Sequence, residues 1–147
     1  MNDAILFTDG TSLSDNNASF IILAEDDLDD QEFFSEAFGH LTSSIKILIA
    51  NNGKKAMQLI TSLPANRVPL SMLLDYNLPE MSGADVLNKL RLYKHLINVP
   101  KIVWSTSESP IYRQHCMESG ANEYLVKPAD ILGMEKVAKK VLDYCTG

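Results

Sequence analysis

The chain predicts a doubly wound α/β fold: a five-stranded parallel sheet with helices on both faces. Three observations predict it. Short apolar runs recur five times along the 147 residues, and a stretch with helical spacing follows each one. The runs are apolar at successive positions, as strands buried on both faces must be. Their regular alternation with helices is the pattern of parallel strands joined by crossover helices. Right-handed crossovers leave few topologies, and the order 2-1-3-4-5, flavodoxin-like, is the one expected.

The elements follow in order. Phe20 to Ala24 is the first apolar run and ends in acids. Asp29 to Phe38 carries Phe33, Phe34, Ala37 and Phe38 at helical spacing, with Gly39 as a stop. Ile45 to Ile49 is the second strand, and Asn51 or Asn52 caps a helix bearing Ala56, Met57, Leu59 and Ile60 before Pro64. Leu70 to Leu74 leads into Asp75, and Ala84 to Leu92 is helical through Val86, Leu87, Leu90 and Leu92. Lys101 to Trp104 closes on Ser105, a weaker helix runs from Tyr112 to Glu118, and Gly120 stops it. Glu123 to Val126 is the fifth strand and ends at Lys127-Pro128. The last helix spans Asp130 to Tyr144, with Leu132, Val137, Ala138, Val141 and Leu142 inward.

Ahead of this pattern, Asn2 to Ser19 is rich in Asp, Asn, Ser, Thr and Gly. Residues 1–19 are expected to be a flexible polar leader, and residues 20–147 the folded domain. The apolar tetrad Ala4 to Phe7 leaves a second reading open, pairing with a sheet edge or a second subunit.

Composition narrows the function. The net charge is −6, with 19 acidic and 13 basic residues, which argues against a broad nucleic-acid surface. No apolar run approaches the roughly 20 residues of a membrane helix, and the start lacks the pattern of a signal peptide. Cys116 and Cys145 have neither metal-ligand nor disulfide-framework spacing and read as free thiols. The expectation is a cytoplasmic protein that binds neither membrane nor nucleic acid.

In a doubly wound sheet, ligands bind beyond the carboxyl ends of the strands. Those ends carry Glu25 and Asp26, Asp75, Ser105 and Lys127. Carboxylates crowded on adjacent strands repel unless a cation intervenes, and Mg²⁺ suits one or two carboxylates with waters and a phosphate oxygen. Capping the first helix is the simpler role for Asp27 and Asp29. Lys127, stiffened by Pro128, is a point-charge partner for a phosphate. Ser105 offers a hydroxyl to a phosphoryl oxygen.

Together these residues resemble the receiver domain of two-component response regulators, in the stand-alone, chemotaxis-regulator-like form. The resemblance covers roughly Ser19 to Tyr144. It rests on Glu25-Asp26-Asp27, on Asp75 followed by Pro79 and Gly83, on Ser105 30 residues after Asp75, and on Lys127-Pro128. It implies that Asp75 accepts a phosphoryl group from a histidine kinase or histidine phosphotransfer protein. Glu25, Asp26, Asp75 and the backbone carbonyl of Asn77 would hold Mg²⁺. Lys127 and Ser105 would contact the phosphoryl group, and Ser105 and Tyr124 would form the switch, with the Tyr124 ring turning inward on activation. A half-buried strand aromatic is the alternative for Tyr124. The output would be changed binding to a downstream protein, and a homodimer through the fourth helix, fifth strand and fifth helix is a further arrangement. The chain would be no enzyme beyond assisting its own phosphorylation and slow dephosphorylation.

Four features depart from the family pattern. Thr106 follows the switch hydroxyl where a smaller residue is usual, which would narrow access to Asp75. Trp104 is bulkier than the usual aliphatic, the loop from Thr61 to Pro69 is long, and the leader is extra. Two other functions remain open: an interaction module that never uses phosphate, and a Mg²⁺-dependent aspartate-nucleophile phosphatase. Against the phosphatase, position 77 is Asn where such enzymes carry a second acid.

Overall fold

The computed structural model describes residues 5–15 and 17–146. Five parallel strands lie in the order β2-β1-β3-β4-β5: β1 Ser19–Ala24, β2 Ile45–Ala50, β3 Met72–Asp75, β4 Lys101–Ser105 and β5 Glu123–Val126. Five helices alternate with them: α1 Leu28–Leu41, α2 Gly53–Ser62, α3 Gly83–Leu90, α4 Pro110–Glu118 and α5 Ile131–Thr146. The flavodoxin-like doubly wound order expected from the sequence is the one observed.

Alternation along each strand divides the core in two. Phe20, Ile22, Ala24, Met72, Leu74, Val103 and Tyr124 face one side, with Ala56 and Ile60 of α2, Val86, Leu87 and Leu90 of α3, and Cys116 of α4. Ile21, Leu23, Leu73, Ile102 and Trp104 face the other, with Phe34, Ala37 and Phe38 of α1 and Met134, Val137, Ala138 and Val141 of α5. Burial on both faces explains why β1, β3 and β4 read as unbroken apolar runs.

Side-chain caps set the helix starts. Asp27 accepts the Asp30 N–H at 2.9 Å, Asn52 accepts the Lys55 N–H at 2.7 Å, and Ser82 forms a reciprocal capping box with Asp85. Several boundaries differ from the sequence reading. The first helix passes through Gly39 to Leu41, because Phe34, Ala37 and Phe38 anchor it against the sheet and outweigh a glycine penalty of about 1 kcal/mol. Phe33, Leu92 and Leu132, expected inward, are exposed. Leu92 lies beyond the end of α3, and the other two sit on outer helix faces.

The flexible-leader expectation is corrected for residues 5–15. Leu6 and Ser12 form an antiparallel bridge, and Thr8 N–H donates to Ile47 O at 2.9 Å on the β2 edge. Phe7 and Leu13 are 3% and 4% exposed and join the core, with the Phe7 ring 5.9 Å from that of Phe20. Burying two large apolar side chains contributes about 1.5–3 kcal/mol each against the entropy lost in ordering the segment. Ala4, the first of the apolar tetrad, lies outside the described residues. Arg67 of the long loop before β3 donates to Leu13 O and Ala18 O, both at 3.0 Å.

Candidate phosphoacceptor and metal site

The carboxyl ends of β1, β3 and β5 bring Glu25, Asp26, Asp75 and Lys127 together. One oxygen from each of the three acids lies within 4.8 Å of the others. Glu25 and Asp75 are buried, and Asp26 is exposed at the rim. Lys127 follows β5 directly, and its N–H bonds Ser105 O at 2.7 Å. Its ammonium lies 3.0 Å from Asp75 Oδ2, 2.7 Å from Glu25 Oε1 and 3.0 Å from Asp30 Oδ2.

The local backbone explains Asp75's orientation. Asn77 N–H donates to Asp75 Oδ1 at 3.0 Å, so the chain turns sharply after β3. Gly83 then packs beneath the turn, where a Cβ would stand 2.6 Å from Asp75 O. Only a residue without a side chain fits there. In the same turn Glu80 takes a left-handed φ of 66°.

Ser105 is buried, and its Oγ accepts the Ser107 N–H at 3.1 Å. The Asn77 side-chain amide reaches that same oxygen at 3.5 Å. Thr106 is exposed. Tyr124 was expected to turn inward on activation, but its ring is already inside at 2% exposure. Its hydroxyl donates to Ser107 O at 2.6 Å, and the Arg113 guanidinium lies 5.1 Å from the ring centre. Tyr76, next to Asp75, stacks on Tyr112 of α4 with ring centres 4.5 Å apart.

The electrostatics match the crowding. Burial, then the neighbouring Asp75 carboxylate, pushes the Glu25 pKa from 4.5 up to about 8, although Lys127 opposes the shift. Burial alone would lower the Lys127 pKa, but contacts with Glu25, Asp75 and Asp30 hold it above the ordinary lysine value. Glu25 Oε1 is fully buried and meets the Lys127 ammonium as an ion pair at 2.7 Å. An all-oxygen set of three acids with oxygens within 4.8 Å of one another fits a hard divalent cation.

Asp30 is the site residue that sequence reasoning missed. It stands in the first turn of α1, where the helix dipole already accounts for an acid, so its sequence position carries no signal of the contact with Lys127. The Trp104 ring was also unforeseen as a neighbour of Lys127, at 5.1 Å from its ammonium.

Three acids and a lysine thus meet at the strand ends of a doubly wound parallel sheet. The family model for the response regulator receiver domain matches residues 21–139, and the chain belongs to that family. Two-component response regulator ORR11 of Oryza sativa subsp. indica is 30% identical over 102 residues, which are 69% of this chain and 67% of that protein. ORR7 of Oryza sativa subsp. japonica is 29% identical over 101 residues, but these make up only 46% of its length. The chain therefore spans less than half of that relative.

Among solved structures, the phosphorylated cyanobacterial phytochrome response regulator RcpA aligns with a TM-score of 0.79 at 26% identity, covering 89% of this chain and 96% of its own. The Mn²⁺-bound form of response regulator Rcp1 aligns at 0.73 and 26%, covering 84% and 91%. No helix among the described residues is long and apolar enough to cross a membrane.

Proposed function

We propose that the chain is a response regulator that takes a phosphoryl group on Asp75 and signals through changed protein binding. One observation carries this reading: the buried Asp75 carboxylate stands 3.0 Å from the Lys127 ammonium and within 4.8 Å of Glu25 and Asp26. Glu25, Asp26, Asp75 and the Asn77 carbonyl would hold Mg²⁺, which when bound supplies positive charge to the phosphoryl oxygens.

A carboxylate oxygen of Asp75 attacks the phosphorus of a phosphohistidine in line. The new P–O bond forms as the P–N bond to the donor imidazole breaks, leaving an acyl phosphate. Lys127 neutralises charge on the equatorial oxygens. The Ser105 hydroxyl donates to one of them and in doing so can leave its contact with the Ser107 N–H. That exchange pulls on the β4–α4 loop, which also holds the Tyr124 hydroxyl through Ser107 O. The face formed by α4, β5 and α5 is thereby shifted in population and in partner affinity. A histidine kinase or phosphotransfer protein is the donor, a downstream protein the receiver of the signal, and the cytoplasm the compartment. Pairing of two chains through the same face is part of this reading.

Intact-mass analysis tests it. Acetyl phosphate with Mg²⁺ should add about 80 Da, one phosphoryl group, to the wild-type chain and nothing to Asp75→Asn. Equal labelling of Asp75→Asn removes the assignment, and repeated turnover of a phosphate ester would favour the phosphatase.

A further inference from the structure

We propose that Asp30 is a positioning residue for Lys127: it keeps the lysine ammonium over the site when a divalent cation claims Glu25 and Asp75. The inference rests on the phosphoacceptor reading above and adds a residue to it.

A lysine ammonium has three donors and no acceptor. Here three carboxylates surround it: Glu25 at 2.7 Å, Asp30 at 3.0 Å and Asp75 at 3.0 Å. Two of them, Glu25 and Asp75, belong with Asp26 to the crowded set of oxygens. Asp30 stands outside that set. A cation entering the set takes the lone pairs of Glu25 and Asp75 and repels the ammonium. The Lys127 side chain is only 9% exposed, so an ammonium without a counter-charge would be costly there. Asp30 is the carboxylate that the cation leaves free for Lys127.

Its placement suits the task. The Asp30 N–H is held by the N-cap Asp27 at 2.9 Å, which fixes the first turn of α1. The Trp104 ring lies 5.1 Å from the ammonium and offers a second surface for the charge. Lys127 thus stays within reach of Asp75 in both the metal-free and the metal-bound chain. Without Asp30, the lysine would compete with the cation for Glu25 and Asp75, and afterwards would leave the site.

Asp29 provides the control. It shares the first turn and the charge, is exposed, and has no ion-pair partner among the described residues. The test compares Mg²⁺ affinity of the full chain by calorimetry, with Trp104 emission followed in parallel, in wild type, Asp30→Asn, Asp30→Glu and Asp29→Asn. Asp30→Asn should raise the Mg²⁺ Kd by about tenfold, the scale of one partly exposed charge-assisted hydrogen bond. Asp29→Asn should raise it by no more than about twofold, as a screened surface charge does. Asp30→Glu should recover most of the loss. Acetyl phosphate labelling at saturating Mg²⁺ should also slow in Asp30→Asn, and much less in Asp29→Asn.

Equal shifts in the two Asn variants would overturn the proposal, because the field of the helix start would then be the cause. So would an unchanged Kd in Asp30→Asn. A wild-type chain that neither binds Mg²⁺ nor takes a phosphoryl group overturns the phosphoacceptor reading as well. A wild type that does both, with Asp30→Asn behaving as Asp29→Asn does, removes this inference alone.

Discussion

Lys127 holds its ammonium 5.1 Å from the centre of the Trp104 ring, while the same nitrogen contacts Asp75 at 3.0 Å. Trp104 is the single tryptophan of the chain and is fully buried. Its emission should therefore report on the lysine. Mg²⁺ titration and phosphorylation should each give a saturable change in Trp104 fluorescence, and Lys127→Ala should abolish most of it. A response of full size in Lys127→Ala would mean that the indole senses something else.

Glu25 sets a pH dependence. Its pKa rises from 4.5 to about 8 on folding, so the folded chain binds this proton more tightly than the unfolded chain. The resulting stabilisation is complete below about pH 4.5 and is lost as pH rises through about 8. The thermal midpoint of the metal-free chain should fall across that window, and Glu25→Gln should flatten the slope. Mg²⁺ at the alkaline end should restore stability by binding the ionised carboxylate. A slope unchanged in Glu25→Gln would assign the effect to other groups.

Tyr124→Phe keeps the buried ring and removes its bond to Ser107 O. One hydrogen bond of this kind contributes about 1 kcal/mol, which corresponds to a fall in Tm of roughly 2–4 °C. The ring already lies inside, so chemical nitration of Tyr124 should be slow both before and after phosphorylation. Rapid nitration of the unphosphorylated chain would show that the ring swings out.

Gly83→Ala would press a methyl group against the carbonyl of Asp75. The turn after β3 must then shift and take the Asp75 carboxylate with it. Labelling by acetyl phosphate should drop by at least about tenfold, since small misplacements of a reacting group are expensive. Normal labelling would show that the turn gives way without moving Asp75.

Thr106 is exposed and directly follows Ser105 at the carboxyl end of β4. Thr106→Ala should speed labelling by acetyl phosphate severalfold through easier approach. An equal or slower rate in that variant excludes steric gating.

Much of this architecture was readable in the amino-acid order, for physical reasons. Ile21 to Ala24 and Met72 to Leu74 lie between two helical layers, so hydrophobicity alone marks them as strands. The polar residues that end these runs fall on one rim by topology, which is why Glu25, Asp26, Asp75 and Lys127 could be grouped without coordinates. Asp30 was not legible, since an acid in the first turn of a helix already has a reason to be there in the dipole. The contact that matters joins α1 to the end of β5, 97 residues away. Phe33 and Leu132 misled for the opposite reason: both keep the apolar spacing of their helices yet face outward.

The segment 5–15 and the long loop before β3 were two separate departures from the family pattern, and Arg67 makes them one feature. The family match begins at residue 21, so a domain trimmed to that boundary would discard Phe7 and Leu13. It would cut away Phe20 as well, take the Thr8 N–H from the Ile47 carbonyl, and remove the Leu13 and Ala18 carbonyls that Arg67 holds. Such a fragment would present a raw strand margin to its neighbours and invite clumping during purification. Recombinant versions, and fusions that borrow this switch, should keep the preceding residues from at least Ile5 onward.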